Sequence, residues 1–340
     1  MSRENQFRWR FTALLVLLMI VFILDLSLGT MQIPFQRILR HITGISSLSG
    51  TELTIFSEFR LPRALTAILA GTALSLSGLQ MQTLFRNPLA GLYILGISSG
   101  ASLGVAIVVL GNGVLMSGIL PELGIVASAW VGAASVMMLI LLVTLRVRSI
   151  MTILILGIMF SGALSAVINI LQYVGPADSL KSFVIWSMGS LTNVTGERLI
   201  ILTISVVAGL GVALLAVKPL NAMMLGENYA RSMGVKVIST RLLVFLSTSI
   251  LAGTIAAFCG PVGFVGIAVP HITRYFIRRN DLRYLLPSTA VMGMIVLLIS
   301  DIVSQLPGSE RVLPLNAITS LIGIPVVVWV ILQNRSLSKT

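Results

Sequence analysis

"LPRALTAILAGTALSLSGLQMQTLFRNPLAGLYILGISSGASLG", residues 61–104, decides the fold. From Ala64 to Phe85 no side chain carries a charge, and a helix of that length crosses the roughly 30 Å hydrocarbon core of a bilayer. Arg86, Asn87 and Pro88 then interrupt the run. Pro88 withdraws a backbone donor and biases Asn87 away from helical geometry, so the chain must turn there. Beyond the break, Gly96, Gly100 and Gly104 fall four apart among Ser98, Ser99, Ala101 and Ser102. Such a ridge without bulk lets a second helix approach closely, and its reading is packing.

The rest of the chain agrees. Of 340 residues, 56% are hydrophobic and 10% charged, with a mean hydropathy of +1.02, against about 25% charged in soluble domains. In hydrocarbon every backbone group must be satisfied internally, which only helices and closed barrels achieve. Period-2 alternation is missing, so the expected class is an all-α polytopic membrane protein. About ten spans are predicted, near 11–30, 61–84, 92–111, 123–145, 150–173, 197–217, 241–260, 263–277, 285–304 and 315–333, the eighth being short. No small-residue cleavage site ends the first, so it reads as a retained helix, and residues 1–340 as a single transmembrane domain.

Charge orients the spans. With the N-terminus inside, roughly sixteen of the 23 Lys and Arg fall on the cytoplasmic side and seven outside, the sense of the positive-inside rule. Outside acids nearly cancel the outside bases, so the +12 net charge is a cytoplasmic property that needs no nucleic acid. Both termini lie inside. Leu69-Ala70-Gly71-Thr72 with Gly78 is echoed by Leu251-Ala252-Gly253-Thr254 with Gly260, in spans of opposite direction, the arrangement of an inverted repeat.

The chemistry-bearing residues are few. Asp25 and Asp301 fall within spans near their outer ends, and read as satisfied helix-end carboxylates rather than a proton relay. One cysteine, Cys259, excludes an internal disulfide, and His41 and His271 lie far apart, so no metal site is expected. No phosphate-binding G-x-x-x-x-G-K-[ST], H-E-x-x-H or nucleophile elbow occurs, which leaves an enzyme without a foothold. The longest cytoplasmic loop, residues 218–240, begins with Pro219 ending a helix and holds a short helix, 228–233, closed by Gly234. By composition it reads equally as a partner-docking element or as a connector lying on anionic lipid through Arg231 and Lys236. Outside, within the segment 174–196, "KSFVIWSMGSLTN" (181–193) is too short to span and reads as a re-entrant or interfacial helix.

Taken together, five segments resemble the FecCD-like permease family, the membrane subunits of ABC importers for iron-siderophore, haem and cobalamin. They are the run 60–101 (R-x-P-R, G-x-x-x-Q, N-P-L-A, L-G-x-x-x-G-A), "IWSMGSL" (185–191), "LGENYARSMGV" (225–235), "GPVGFVGIAVPHITR" (260–274) and "LPLNAITSLIGIP" (313–325). The resemblance covers essentially the whole chain. It implies ten helices per subunit, a second permease subunit forming a homodimer, two cytoplasmic ATPases and a soluble binding protein that delivers the chelate. The implied location is the bacterial cytoplasmic membrane. No cofactor is implied for this chain; ATP and Mg belong to the partner ATPase.

Residue by residue, the resemblance implies that Arg60 and Arg63 at the outer mouth pair with acids of the binding protein. Where the family carries a further Arg, this chain has Gln305, and Arg311 is the substitute candidate. Glu227, Ala230, Arg231 and Gly234 are implied to seat in the ATPase. Gln82, Asn87 and Leu89 are implied to line the inner end of the pore, where a gate must close. The implied cargo is an iron-siderophore-type chelate, with cobalamin or haem as alternatives, moved by ATP-driven alternating access. The rival class is a secondary transporter or channel, which would call for midplane acids.

Overall fold

The computed structural model describes residues 3–29, 34–44, 48–91, 96–111, 121–147, 149–305 and 312–337. Every regular element among them is helical: α1 (Arg3–Ser27), α2 (Phe35–Ile42), α3 (Gly50–Thr54), a π-helical turn (Ile55–Arg60), α4 (Leu61–Phe85), α5 (Ile97–Leu110), α6 (Pro121–Arg146), α7 (Ile150–Val174), α8 (Ala177–Ser187), α9 (Glu197–Met224), α10 (Glu227–Ser232), α11 (Val237–Cys259), α12 (Val265–Ile277), α13 (Leu282–Ser304) and α14 (Leu315–Leu337). The ten predicted spans correspond to α1, α4, α5, α6, α7, α9, α11, α12, α13 and α14. Seven of these are long and apolar enough to cross a membrane, and α5 and α12 are shorter. The two shortest each begin on a left-handed residue, Gly96 before α5 and Phe264 before α12, so each helix starts late, out of an irregular segment.

The apolar helices sort into a shell and a centre. Only 11% of the hydrophobic window of α7 is buried, whereas 83% of the window ending in α4 is enclosed by protein. Lipid is as apolar as leucine, so a central helix is not held there by hydrophobicity; close packing must do it. The face of α4 is accordingly built from small residues. A Cβ on Gly71 would overlap the Gly293 carbonyl of α13, and one on Gly78 would overlap the Gly266 carbonyl of α12. α4 also packs on α9 and α11, and α11 is the next most enclosed of the spans. The two halves of the sequence echo therefore lie in the two central helices, which touch.

The charge-based orientation has a structural counterpart. Arg10 near the start of α1 donates to the Ile277 carbonyl at the end of α12 (3.1 Å), so those ends share one face. At the opposite face Arg63 of α4 meets Asp301 of α13.

Pro219 does not end a helix, contrary to the sequence expectation: α9 runs through it to Met224. A proline costs an internal helix one hydrogen bond, and packing can outweigh it. Here Leu220, Ala222 and Met223 are buried. Asn221 donates to Asp281 Oδ1 (2.8 Å) and accepts from the Leu282 amide (3.0 Å), tying the end of α9 to the start of α13. The cytoplasmic loop placed at 218–240 is thereby reduced to the segment between Met224 and Val237, with α10 at its centre. On the outer side α8 occupies the expected short-helix segment.

Candidate functional site

Three groups of side chains carry the chemistry, at the inner mouth, on the cytoplasmic surface and at the outer end.

The inner mouth is built by the end of α4. Arg86 adopts a left-handed backbone (φ 48°) and caps the helix. Its amide bonds the Thr83 carbonyl (3.3 Å) and the Asn87 amide bonds that of Gln82 (3.2 Å), a Schellman pair that satisfies two orphan carbonyls. The Asn87 side chain then accepts from the Leu89 amide (2.9 Å), and the Ala90 amide bonds the Asn87 carbonyl (3.0 Å), completing the turn that Pro88 requires. His271 of α12 donates through Nε2 to the Pro88 carbonyl (2.7 Å), anchoring the turn to a second helix. One turn back, Gln82 accepts from Arg274 Nη1 (2.6 Å) and donates to the Ile267 carbonyl (3.1 Å).

These residues wall a cavity of about 440 Å³, which also takes in Arg86, Tyr275, Trp329 and Val330. Tyr275 and Trp329 meet edge to face at 5.1 Å, linking α12 to α14. Of the three residues implied for the inner gate, Gln82 and Asn87 lie in this wall. Leu89 lies outside the lining, exposed on the turn. His271 and Arg274, spaced three apart on one face of α12, fall in the 260–274 motif but were assigned no site role from the sequence. Their common helix face was the available signal.

On the cytoplasmic surface α10 closes as expected, with Gly234 at φ 81° and a Schellman pair from Gly234 to Arg231 (2.9 Å) and from Val235 to Ala230 (3.0 Å). Its faces are divided in a way the sequence did not show. Glu227 is ion-paired with Arg241 of α11, whose side chain is 2% exposed, and Ala230 is fully buried. These two residues hold the element down rather than reaching outward. Arg231 and Gly234 remain on the open side, where Tyr229 of α10 is exposed, as are Leu225 just before the helix and Met233 just after it. The head of this segment lies near the inner mouth, although even a Cβ added to Gly226 would stop 4.0 Å short of Arg86 Nη1.

At the outer end the structure differs from the docking expectation. Arg60 is 8% exposed and donates to the Leu26 (2.7 Å) and Ser27 (3.0 Å) carbonyls at the end of α1. Arg63 donates through Nε to Asp301 Oδ1 (2.7 Å) and through Nη2 to Ser304 (3.1 Å). Both guanidiniums are turned inward because they serve needs that water cannot meet there: orphan carbonyls at a helix end and a carboxylate buried in protein. Gln305 donates to the other Asp301 oxygen (2.8 Å), so the residue standing at the family's arginine position also works inward. Asp301 is thus satisfied, as expected of a helix-end carboxylate. Asp25, buried in the same cluster, keeps one oxygen without a hydrogen-bond partner, which was not expected. Arg311 lies outside the described residues.

The glycine ladder divides as well. Cβ atoms on Gly100 and Gly104 would run into the Gly132 and Ser128 carbonyls of α6, so α5 and α6 meet backbone to backbone, with Gly132 as the reciprocal notch. Gly96 has a second duty: its φ of 73° starts α5, and its neighbours are Ser161 and Gly157 of α7 as well as Val136 of α6.

Comparisons with known proteins match this architecture. The sequence profile of the FecCD transport family fits residues 17–333. The hemin transport system permease protein of Yersinia pestis is 33% identical over 327 residues, covering 95% of each chain. The vitamin B12 import system permease protein of Klebsiella pneumoniae is 34% identical over 336 residues, 98% of this chain and 96% of the relative. A solved inward-facing ABC transporter described as of metal-chelate type superposes with a TM-score of 0.83 at 27% identity, over 95% of this chain and 98% of that one.

Proposed function

The chain belongs to the FecCD transport family, and from this premise we propose that it is the membrane-spanning subunit of an ABC importer for a bulky metal chelate. An iron-siderophore-type chelate is the first assignment and haem or cobalamin the second. The support for the class is that two relatives are a hemin and a vitamin B12 permease and that the structural neighbour is of metal-chelate type. In this assignment a second copy of the chain completes the translocation path, a soluble binding protein delivers the chelate from outside, and two ATPase subunits bind from the cytoplasm.

One observation carries the mechanism: Leu225, Tyr229 and Met233 are exposed on a segment pinned to the central helices through Glu227 and Arg241. An amphipathic helix with such a face seats in a partner's groove. A displacement of α10 is passed to α11 through Glu227 and Arg241, and α11 packs directly on α4. The Asn87–Pro88 turn and α12, joined through His271 and Gln82, then move together and change the width of the inner cavity. ATP binding and hydrolysis on the partner would drive this rigid-body alternation.

The test is reconstitution in liposomes. The complete transporter is expected to accumulate a chelate only with ATP and with the binding protein loaded with that chelate; ferric siderophore, haem and cobalamin are compared in parallel. Accumulation against a gradient by the permease without any ATPase would refute the importer reading. A preference for haem or cobalamin would replace the first cargo by the second.

A further inference from the structure

A cavity of about 620 Å³ opens on the cytoplasmic face between the start of α1 and the turn from α12 to α13, with a lining that shares no residue with the inner mouth or α10. Arg10, Arg278 and Arg279 line it with the side-chain amides of Gln6 and Asn280. Asp281 is the acid in its wall, and that carboxylate is already engaged by Asn221 (2.8 Å) and by the Arg283 amide (2.9 Å). Three guanidiniums against one occupied carboxylate leave the cavity strongly electropositive.

The cations are also held in place. The Arg279 guanidinium lies 4.2 Å from the ring centroid of Tyr284 and 5.4 Å from that of Phe7. The two rings themselves meet edge to face at 4.8 Å. Arg10 is fixed by its bond to the Ile277 carbonyl at the end of α12. Arg278 occupies the left-handed capping position of α12 at φ 54°, where glycine would be unstrained, so a long cation stands there against a backbone cost. Among the described residues Arg278 has no ion-pair partner.

The setting identifies the counter-charge. Residues lining the cavity sit at the start of α1, whose outer face (Leu15, Val16, Met19, Ile20) is exposed and apolar, as suits a helix against lipid. Trp9, 69% exposed beside the cavity, is the kind of residue that anchors at headgroup depth. We propose that this cavity binds a phosphate-bearing anion, and that its occupant is the headgroup of an anionic phospholipid of the cytoplasmic leaflet. Basic pockets between helices on this side of a membrane recognise such headgroups through the same charge chemistry. The bound lipid would join α1 to the α12–α13 turn.

Native mass spectrometry of the complete transporter in mild detergent tests this, with phosphatidylglycerol, phosphatidylcholine and inorganic phosphate as probes. Arg278→Gly removes one cation while suiting the local backbone, and Arg10→Gln removes a second. A juxtamembrane cation contributes about 1 kcal/mol, so phosphatidylglycerol retention is expected to weaken about fivefold per arginine and roughly 25-fold in the double variant. Phosphatidylcholine should not be retained, and Arg37→Gln on the outer face should change nothing. Retention of phosphatidylglycerol unaltered in the double variant would overturn the site. Its displacement by millimolar inorganic phosphate would overturn the lipid as occupant and leave a free anion.

Discussion

Replacing Arg63 by methionine keeps an apolar stem of similar length but removes the guanidinium from Asp301. That carboxylate is 1% exposed and Arg63 only 14%, so water cannot take the place of the lost partner. Removing one member of a buried ion pair costs about 3–5 kcal/mol, chiefly because the survivor is left charged in a medium that cannot solvate it. Gln305 still donates to Asp301 Oδ2 at 2.8 Å, which puts the expected loss near the lower end, about 3 kcal/mol. Removing both partners, Arg63→Met with Asp301→Leu, deletes the survivor as well and should come within about 1 kcal/mol of the wild type. Equilibrium unfolding of the purified protein in mixed micelles measures all the variants on one scale. The loss should also be nearly independent of salt, since buried pairs are weakly screened. An Arg63→Met protein as stable as wild type, or single losses that simply add in the double variant, would refute the internal role of Arg63. Salt-dependent loss of binding-protein association with unchanged stability would restore the outward one.

Gly104→Val places bulk where α5 and α6 touch through backbone; overpacking of this kind costs about 1–3 kcal/mol, measurable in the same unfolding assay, and Gly162→Val, where a Cβ meets nothing within 4 Å, is the matched control. Arg86→Gly should relieve about 1 kcal/mol of left-handed strain and raise stability. In reconstituted transporter the same variant should slow transport by removing a wall of the inner cavity. Tyr229→Asp with Met233→Asp should abolish the permease's stimulation of ATPase turnover without changing the unfolding midpoint, because both side chains are exposed.

Much of the fold was legible in the chain because length and hydropathy are one-dimensional properties. Any apolar run near twenty residues must become a helix in a bilayer, and the asymmetry of Lys and Arg orients it. The turn at Asn87–Pro88 and the cap at Gly234 were equally readable, since proline and glycine act on the backbone locally. Pro219 marks the limit of that logic. Its local tendency to stop a helix is real, but Asn221 and three buried neighbours hold α9 together across sixty residues of sequence, and no local rule contains Asp281.

The site residues divide along the same line. That residues 225–235 form a short capped helix followed from sequence, but which face it turns outward did not: Glu227 and Ala230 face the protein, and Tyr229 and Met233 face solvent. Arg60 and Arg63 were placed at the correct end of the correct helix, yet the partners that turn them inward, the end of α1 and Asp301, are 33 to 238 residues away in the chain. Gly100 and Gly104 announced a close approach without naming Gly132 as the surface approached. The sequence alone determined the membrane, the number and direction of the spans, and where backbone chemistry breaks them. Tertiary structure alone decided which charges are spent internally, which helices become the centre, and which apolar side chains of the cytoplasmic segment stay exposed. The physical reason is that transfer into lipid acts on each segment separately, whereas pairing, close packing and burial are properties of two segments at once.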